Sequence, residues 1–344
     1  MNHHPDRSVR ILLLGARRRI FFVERLRAAA RALGKEVFVV YADTDDLDPA
    51  AHVCDAFVRI PSSSASDYVE AVAATIREWR IALTVPWNDK DIDVINRHRS
   101  TAFSGFDFFL PPEEATRVFL DKLEFARWCQ SSAVPHPRML ARDNSSPALP
   151  CVVKPRFGQG SVGVTICHDE VDYRYGLRHA DEPVVQEFVD GEEITVDVYC
   201  WPVSLVFACV PRLRLKTRGG EVLIAKTVSD RFARPLAETI ARALRIDGPF
   251  NFQYIVSNGR PHVIEANPRM GGGTDLSVAA GADLPRYLLE RVLTGRLSSA
   301  PPAIREGLVM SRYHDAVFFA HPPEAAATAP RMSLEAERAG QIAI

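Results

Sequence analysis

The chain has 344 residues, of which 47% are hydrophobic and 25% charged, and its formal net charge is −1. So small a net charge gives no bulk attraction to nucleic acid or to an anionic membrane surface. No apolar run approaches the roughly 20 residues that span a bilayer, and the six cysteines include no Cys-x-x-Cys pair. We therefore expect a reduced, cytoplasmic protein of two or three compact units, without a disulfide framework or a zinc site.

The first third of the sequence alternates between apolar strands and amphipathic helices. We predict strands near 9–15, 37–41, 57–60 and 82–86, and helices near 20–33 and 68–79. This alternation predicts a small parallel α/β domain over residues 1–109, which ends before Leu110-Pro111-Pro112. Four phenylalanines before that boundary are best explained by packing between domains: Phe103, Phe106, Phe108 and Phe109.

Two polar segments follow strands of this domain, at the edge where open α/β sheets bind ligands. Arg17-Arg18-Arg19 follows the first strand, and Asn88-Asp89-Lys90-Asp91 forms a predicted loop after the fourth. Either segment could contact a substrate carboxylate or phosphate. A solvated polar face is the simpler interpretation of both.

The remaining sequence is richer in strands. Helices begin near Pro111 and Asp121, and a polar loop is predicted at 143–150. We then predict strands near 151–154, 163–167, 184–189, 193–200, 204–210 and 222–228, a helix near 230–244, two further strands, and a helix near 283–293. Tyr313-His314 and Phe318-Phe319 are predicted to form a last core strand, and residues 321–332 a loose segment.

The two strands after the helix near 230–244 carry the most informative motif. They contain Phe250-Asn251-Phe252-Gln253-Tyr254 and Val263-Ile264-Glu265-Ala266-Asn267, joined by a turn at Ser257-Asn258-Gly259. Side chains alternate faces along a strand, so Glu265, Asn267 and Arg269 should share a face, with Gln253 opposite them. Carboxylate and amide oxygens suit Mg²⁺ when nucleotide phosphates complete its shell. The motif therefore predicts a metal–phosphate site.

Two upstream segments are compatible with nucleotide binding. Lys154 ends a strand and precedes Gly158, Gly160 and Gly163, a spacing that suits a lid whose amides cover phosphates. The segment lacks the Gly-x-x-x-x-Gly-Lys-Ser/Thr pattern of a P-loop, and an ordinary turn would explain it equally well. Residues 184–197 could present backbone groups to adenine and the Glu193 carboxylate to ribose, or could form a plain hairpin.

In order and spacing, these blocks resemble the ATP-grasp superfamily, most closely its carbamoyl-phosphate-synthase-like and carboxylate–amine ligase branch. The resemblance implies an α/β plus α+β architecture, with a Rossmann-like domain before a two-lobed ATP-grasp fold at residues 110–310. The small lobe would span about 110–187 and the large lobe about 188–310, followed by a C-terminal strand and tail at 311–344.

The resemblance also implies roles for individual residues. Arg269 and Lys154 would be catalytic, and Gln253, Glu265 and Asn267 would bind the metal, although many relatives have an acid where this chain has Gln253. The implied ATP contacts are Lys122, Lys154, Gly160, Ser161, Gln186, Glu187, Val189 and Glu193. Further candidate contacts to phosphate or substrate are Arg212, Lys226, Gly272 and Gly273.

The implied activity is an ATP- and Mg²⁺-dependent (or Mn²⁺-dependent) ligase. It would activate a small carboxylate as an acyl phosphate and join it to an amine of amino-acid scale. The alternatives are a carboxylase of the same fold that activates bicarbonate and a nucleotide-sensing module without turnover. Small molecules are the expected partners, nucleic acid and membranes are not expected, and a homodimer is the general expectation.

Overall fold

The computed structural model describes residues 8–141, 148–297, 300–313, 315–321 and 323. Three sheets organise these residues: a four-stranded, a three-stranded and a six-stranded sheet. None of the described helices combines the length and the apolar character that a membrane-spanning helix needs. The domain limits predicted above remain predictions, but the order of the sheets along the chain follows them.

The N-terminal sheet is parallel, with strand order β3-β2-β1-β4. Its strands are β1 (Ser8–Leu14), β2 (Glu36–Asp43), β3 (Ala56–Arg59) and β4 (Leu83–Pro86), and its helices are α1 (Ile20–Ala32), α2 (Pro49–Val53), α3 (Tyr68–Glu78) and α4 (Asp89–Arg97). The run Ile11–Leu14 is fully buried because helices cover both faces of the sheet. The predicted α/β domain is confirmed.

Helix α4 corrects one prediction. We predicted a loop at 88–91, because these four residues are all polar. In the structure Asn88 instead caps α4, and its side chain accepts a hydrogen bond of 2.8 Å from the backbone N–H of Asp91. Asparagine is a preferred N-cap residue. The polar segment is therefore a helix start that lies at the carboxyl edge of the sheet.

The three-stranded sheet is antiparallel, with order β6-β5-β7. Its part of the chain comprises α5 (Glu113–Leu120), α6 (Lys122–Ser131), β5 (Cys151–Lys154), β6 (Thr165–Cys167), α7 (Glu170–His179) and β7 (Val184–Glu187). Helix α7 was missed by the sequence analysis, although Asp169 caps it through a 2.9 Å hydrogen bond from the N–H of Asp172. The predicted loop at 143–150 lies mostly outside the described residues.

The six-stranded sheet has order β12-β11-β8-β9-β10-β13. Its elements are β8 (Glu192–Cys200), β9 (Val206–Arg218), β10 (Glu221–Thr227), α8 (Ala233–Ala243), β11 (Gly248–Ser257), β12 (Arg260–Asn267), α9 (Thr274–Ala279), α10 (Leu284–Thr294) and β13 (Val309–Ser311). The predicted turn between β11 and β12 is confirmed, with φ of 49° at Asn258 and 71° at Gly259.

One hydrophobic core joins the N-terminal sheet to the six-stranded sheet. It contains Leu13 of β1 and Phe22 of α1, together with Tyr199 of β8 and Leu288 of α10. The rings of Phe109 and Tyr199 lie 5.7 Å apart, which confirms the packing between domains predicted for Phe109. By contrast, Phe103 and Phe108 pack inside the N-terminal unit.

The predicted C-terminal core strand is wrong. The side chains of Tyr313 and Phe318 are 83% and 92% exposed, and the last described strand ends at Ser311. Aromatic content alone suggested burial, but no described element covers these two rings. His314 and most of 321–332 lie outside the described residues.

Candidate active site

A cleft of about 630 Å³ lies between the carboxyl edge of the N-terminal sheet and one face of the six-stranded sheet. The β1–α1 loop and the start of α4 line it from the N-terminal side. From the other side it is lined by Gln253, Glu265, Asn267, Arg269 and residues 271–273. Residues 159–161 also line it; they belong to the segment that carries Gly158, Gly160 and Gly163, here called the glycine loop. The predicted metal–phosphate motif therefore borders an open cleft.

The strand register of β11 and β12 brings the predicted metal ligands together. Gln253 pairs with Glu265, and Asn251 pairs with Asn267. The alternate residues Phe250 and Phe252 point into the core, with side chains no more than 1% exposed. The predicted pairing of Gln253 with Glu265 is confirmed. Asn251 was missed, although it has the same parity along the strand as Gln253.

Hydrogen bonds orient the amide side chains of this motif. Gln253 Nε2 donates to Glu193 Oε1 at 2.5 Å and to Thr195 Oγ1 at 3.3 Å. Asn267 Nδ2 donates to Asn251 Oδ1 at 3.1 Å. Because protein acceptors hold these amide nitrogens, the carbonyl oxygens of both side chains are the atoms left to face a cation.

The donor set suits a hard divalent cation. Among the described residues, no three His, Cys, Asp or Glu side chains form a metal-binding group, so the Glu265 carboxylate would act with amide oxygens. Magnesium accepts one or two carboxylates when substrate phosphates complete its shell. Gln253, Glu265 and Asn267 therefore fit Mg²⁺ bound together with a nucleotide.

Arg269 connects three parts of the protein at the cleft. Its Nε donates to Asp89 Oδ1 of α4 at 2.6 Å, and its Nη2 donates to Gln159 Oε1 of the glycine loop at 2.8 Å. The side chains of Arg269 and Asp89 are each 14% exposed. The guanidinium is thus fixed next to the metal ligands, and both of its side-chain partners come from outside the six-stranded sheet.

Lys154, at the end of β5, is a buried cation close to Glu265, although it is not among the residues that line the cleft. Its Nζ donates to the Ile264 carbonyl oxygen at 3.1 Å, and the residue is 8% exposed. Burial lowers the pKa of Lys154 to about 8, while the nearby Glu265 carboxylate opposes that shift. Burying a charged ammonium group is energetically unfavourable, and such groups are expected at sites where a ligand interacts with the charge.

The glycine loop packs against the turn between β9 and β10. A Cβ atom at Gly220 would overlap the carbonyl oxygen of Gly160, and φ is 76° and 69° at these two residues. Ser161 also has positive φ, at 58°. Both glycines are therefore required where the two backbones meet, and the loop covers one side of the cleft.

Arg212 and the glycine run 271–273 form a packed unit. The Arg212 side chain is buried, and its Nε and Nη2 each donate to an Asp197 carboxylate oxygen at 3.0 Å. A Cβ at Gly273 would overlap Arg212 Nη1, so packing explains this glycine. Arg212, Gly272 and Gly273 border the cleft, whereas the exposed Lys226 is not among its lining residues.

The residues predicted to contact adenine lie away from the described cleft wall. Gln186 Nε2 lies 3.5 Å from the Pro137 carbonyl oxygen, and Glu187 Oε1 accepts from the Arg138 N–H at 2.9 Å. Val189 is 9% exposed, and Lys122 Nζ donates to the Gly158 carbonyl oxygen at 2.7 Å. Their roles stay predictions, as does ribose binding by Glu193, which also contacts Arg214.

The three arginines of the β1–α1 loop line the cleft. The Arg17 and Arg18 side chains are 65% and 66% exposed, as a solvated basic face predicts, whereas Arg19 is partly buried. Arg17 Nε lies 3.4 Å from Asp43 Oδ2, and Arg18 Nη2 lies 3.2 Å from Glu221 Oε1 on β10. The Arg19 guanidinium lies over the Trp87 ring, 5.3 Å from its centroid.

Two family models match the chain. Residues 11–105 match the PylC-like N-terminal domain, and residues 179–316 match "ATP-grasp in the biosynthetic pathway with Ter operon". The D-alanine–D-alanine ligase of Thermotoga petrophila is 28% identical over 169 residues, which cover 41% of this chain and 53% of that protein. The chain thus spans about half the length of this curated relative.

Solved structures share the fold. An N5-carboxyaminoimidazole synthetase from Staphylococcus aureus complexed with ADP has a TM-score of 0.70 at 14% identity, covering 91% of this chain and 84% of that one. An L-amino acid ligase from Bacillus licheniformis has a TM-score of 0.67 at 17% identity, covering 88% and 79% of the two chains. At these identities the likeness shows the fold alone, and it confirms the predicted architecture.

Proposed function

Because the chain belongs to the ATP-grasp superfamily, we propose that it is an ATP- and Mg²⁺-dependent ligase that joins a carboxylate to an amine. The observation that carries this proposal is the convergence of Glu265, Asn267 and Arg269 on a cleft that the N-terminal sheet also lines. One wall of the cleft thus offers groups for phosphate and metal, and the other offers groups for the substrates that are joined.

Each residue of the first wall has a part in phosphoryl transfer. Gln253, Glu265 and Asn267 would hold Mg²⁺, which when bound would neutralise charge on the nucleotide phosphates. The ammonium group of Lys154 and the guanidinium of Arg269 would bind oxygens of the γ-phosphoryl group. Asp89 and Gln159 keep the Arg269 guanidinium oriented before the nucleotide binds.

The reaction consists of two displacements. A carboxylate oxygen of the first substrate attacks the γ-phosphorus of ATP, so that ADP leaves and an acyl phosphate forms. The amine nitrogen of the second substrate then attacks the acyl carbon and expels phosphate, which leaves an amide after loss of a proton. The glycine loop, packed on the β9–β10 turn, would exclude water that could hydrolyse the acyl phosphate.

The cleft is large enough for the substrates of a ligase, because about 630 Å³ falls in the range of sites for small organic molecules. Similarity to a D-alanine–D-alanine ligase also supports amide formation. Against a module without turnover, the chain keeps Glu265 and Arg269 at the cleft, with the Lys154 ammonium group buried against the strand that carries Glu265.

Release of phosphate from ATP, measured with pooled carboxylates and amines, tests the proposal. A ligase requires an acid and an amine together and forms one amide per ATP consumed. Stimulation by bicarbonate alone would instead identify a carboxylase, and tight nucleotide binding without turnover would identify a sensor. Glu265→Gln serves as the inactive control for contaminating ATPases.

A further inference from the structure

Among the described residues, Arg19 differs from the other arginines around the cleft in having no anionic partner. In the described part of the chain, the structure records no hydrogen bond or ion pair from its guanidinium, which instead lies over Trp87. The two carboxylates that influence the Arg19 charge each bind another arginine. Asp275 Oδ2 accepts from Arg312 at 2.7 Å, and Glu221 pairs with Arg18 at 3.2 Å.

The surroundings of Arg19 disfavour its charged form. Burial is the largest effect and lowers the pKa of Arg19; Asp275 and Glu221 oppose that shift, and the cations Arg312 and Arg269 add to it. The guanidinium lies beside Gly272, where even a Cβ atom would come within 4.0 Å of Arg19 Nη2. An anion bound there would meet a planar fork of donors held in place by the indole ring.

Arg19 and the metal ligands come from opposite sides of one cleft, and the Arg19 guanidinium extends across it to Gly272. Arg19 comes from the β1–α1 loop, whereas Glu265 and Arg269 come from β12 and the segment that follows it. In the proposed function, Arg269 binds the γ-phosphoryl group that the reacting carboxylate attacks beside the metal. A cation on the other wall therefore suits a different group of the same ligand.

We propose that the substrate of this cleft carries a second anionic oxygen group, a carboxylate or a phosphate, in addition to the carboxylate that is activated, and that Arg19 binds it. The inference rests on the proposed function only in calling the ligand a substrate. Arg19 would form a bidentate, charge-assisted contact with an oxyanion. Such a contact determines the orientation of the ligand and also strengthens its binding.

Binding of simple oxyanions tests the site without any turnover. The probes are malonate and inorganic phosphate, titrated calorimetrically in the presence of saturating Mg²⁺ and the β,γ-imido analogue of ATP, so that the nucleotide phosphates are already in place. Arg19→Gln should weaken binding of the better probe by about 10- to 100-fold, the effect of losing hydrogen bonds to a charged group. Arg19→Lys, which keeps the charge without the fork, should fall between the two proteins.

Arg25→Gln is the matched control. Arg25 is an exposed residue of α1 whose guanidinium lies 4.9 Å from the centroid of Phe21, and it does not line the cleft. It therefore tests loss of a stacked arginine and of one charge on the helix that follows the Arg19 loop. Oxyanion affinity that is absent, that is unchanged in Arg19→Gln, or that falls equally in Arg25→Gln would overturn the proposal.

Turnover then separates the two kinds of anion and the two proposals. Glutamate is compared with glutamine, and O-phosphoserine with serine, as the acid in the phosphate-release assay. We expect the dianionic member of one pair to be favoured by about tenfold or more, and this preference to disappear in Arg19→Gln. Equal rates within both pairs, unaffected by Arg19→Gln, would overturn the second anion while leaving the ligase intact. Oxyanion binding that depends on Arg19 without any amide formation would remove the ligase and leave the anion site.

Discussion

Replacing Lys154 by methionine should change stability and nucleotide binding in opposite directions. The two side chains are similar in length, so the methionine would fill the same space without charge. Lowering the pKa of the ammonium group from 10.5 to about 8 corresponds to about 3 kcal/mol of unfavourable free energy for the charged form at pH 7. Loss of the hydrogen bond to the Ile264 carbonyl oxygen reduces the stabilisation gained by removing the charge by about 1 kcal/mol. The nucleotide-free variant should thus be more stable by about 2 kcal/mol.

The pH dependence of this gain has a definite sign. Because burial depresses the pKa of Lys154, the folded protein loses this proton near pH 8 and the unfolded chain only near 10.5. Wild-type stability therefore recovers between these two values, and the advantage of the variant should disappear by about pH 10.5. Calorimetric melting of both proteins at about pH 7, 9 and 10.5, without nucleotide, measures the difference in their stability at each pH.

The same variant should bind ATP about 10- to 100-fold more weakly, since a charged donor to phosphate is lost. Lys122→Met is the control, because it removes the same charge from a lysine that is only partly buried and contacts the Gly158 carbonyl oxygen. It should weaken nucleotide binding without raising the melting temperature. A lower melting temperature for Lys154→Met at neutral pH, or a gain that persists once the unfolded lysine has also lost its proton, would refute the reasoning.

Three further substitutions test other parts of the site. Glu265→Gln should abolish most turnover and leave the melting temperature within a few degrees of wild type, because it removes a ligand's charge and keeps its shape; unfolding would show a structural role. Glu193→Ala should raise KM for ATP more than it lowers kcat if the carboxylate binds ribose; a higher Mg²⁺ requirement at unchanged KM for ATP would show instead that it positions Gln253. Burial raises the pKa of Asp91 to about 6, so the stability that its protonated form provides is complete below about pH 4 and lost as pH rises through about 6. Asp91→Asn should accordingly gain up to about 3 kcal/mol relative to wild type between about pH 4 and pH 7, and equal pH profiles of chemical denaturation for the two proteins would contradict this.

The strands of this protein were easier to predict than its helices. Buried runs such as Ile11–Leu14 and alternating ones such as Phe250–Tyr254 leave a clear hydrophobic pattern. Helices α4 and α7 begin with polar residues and carry little apolar content in their first turn, so they resembled loops. Their N-caps, Asn88 and Asp169, were the signal that could have identified them.

The candidate site was predictable where chemistry follows strand parity. The positions of Gln253 and Glu265 required only the alternation of side chains and a short turn between the strands. Asp89 and Gln159 could not be assigned as partners of Arg269, because each contact joins segments at least 110 residues apart in sequence. The isolation of Arg19 was hidden for the same reason, since it depends on which carboxylates other arginines occupy.

The core shared by the N-terminal and six-stranded sheets has a consequence for how substrates are selected. The aromatic rings at this junction, those of Phe109, Tyr199 and Tyr287, pack against one another. We therefore expect the distance between the two walls of the cleft to stay constant. The three-stranded sheet has a core of its own and contributes no residue to this shared core, so we expect that sheet and its glycine loop to be the part that moves when a nucleotide binds. Such a protein would select its acid and amine by the constant width of the cleft, while the nucleotide enters and leaves beneath a mobile loop.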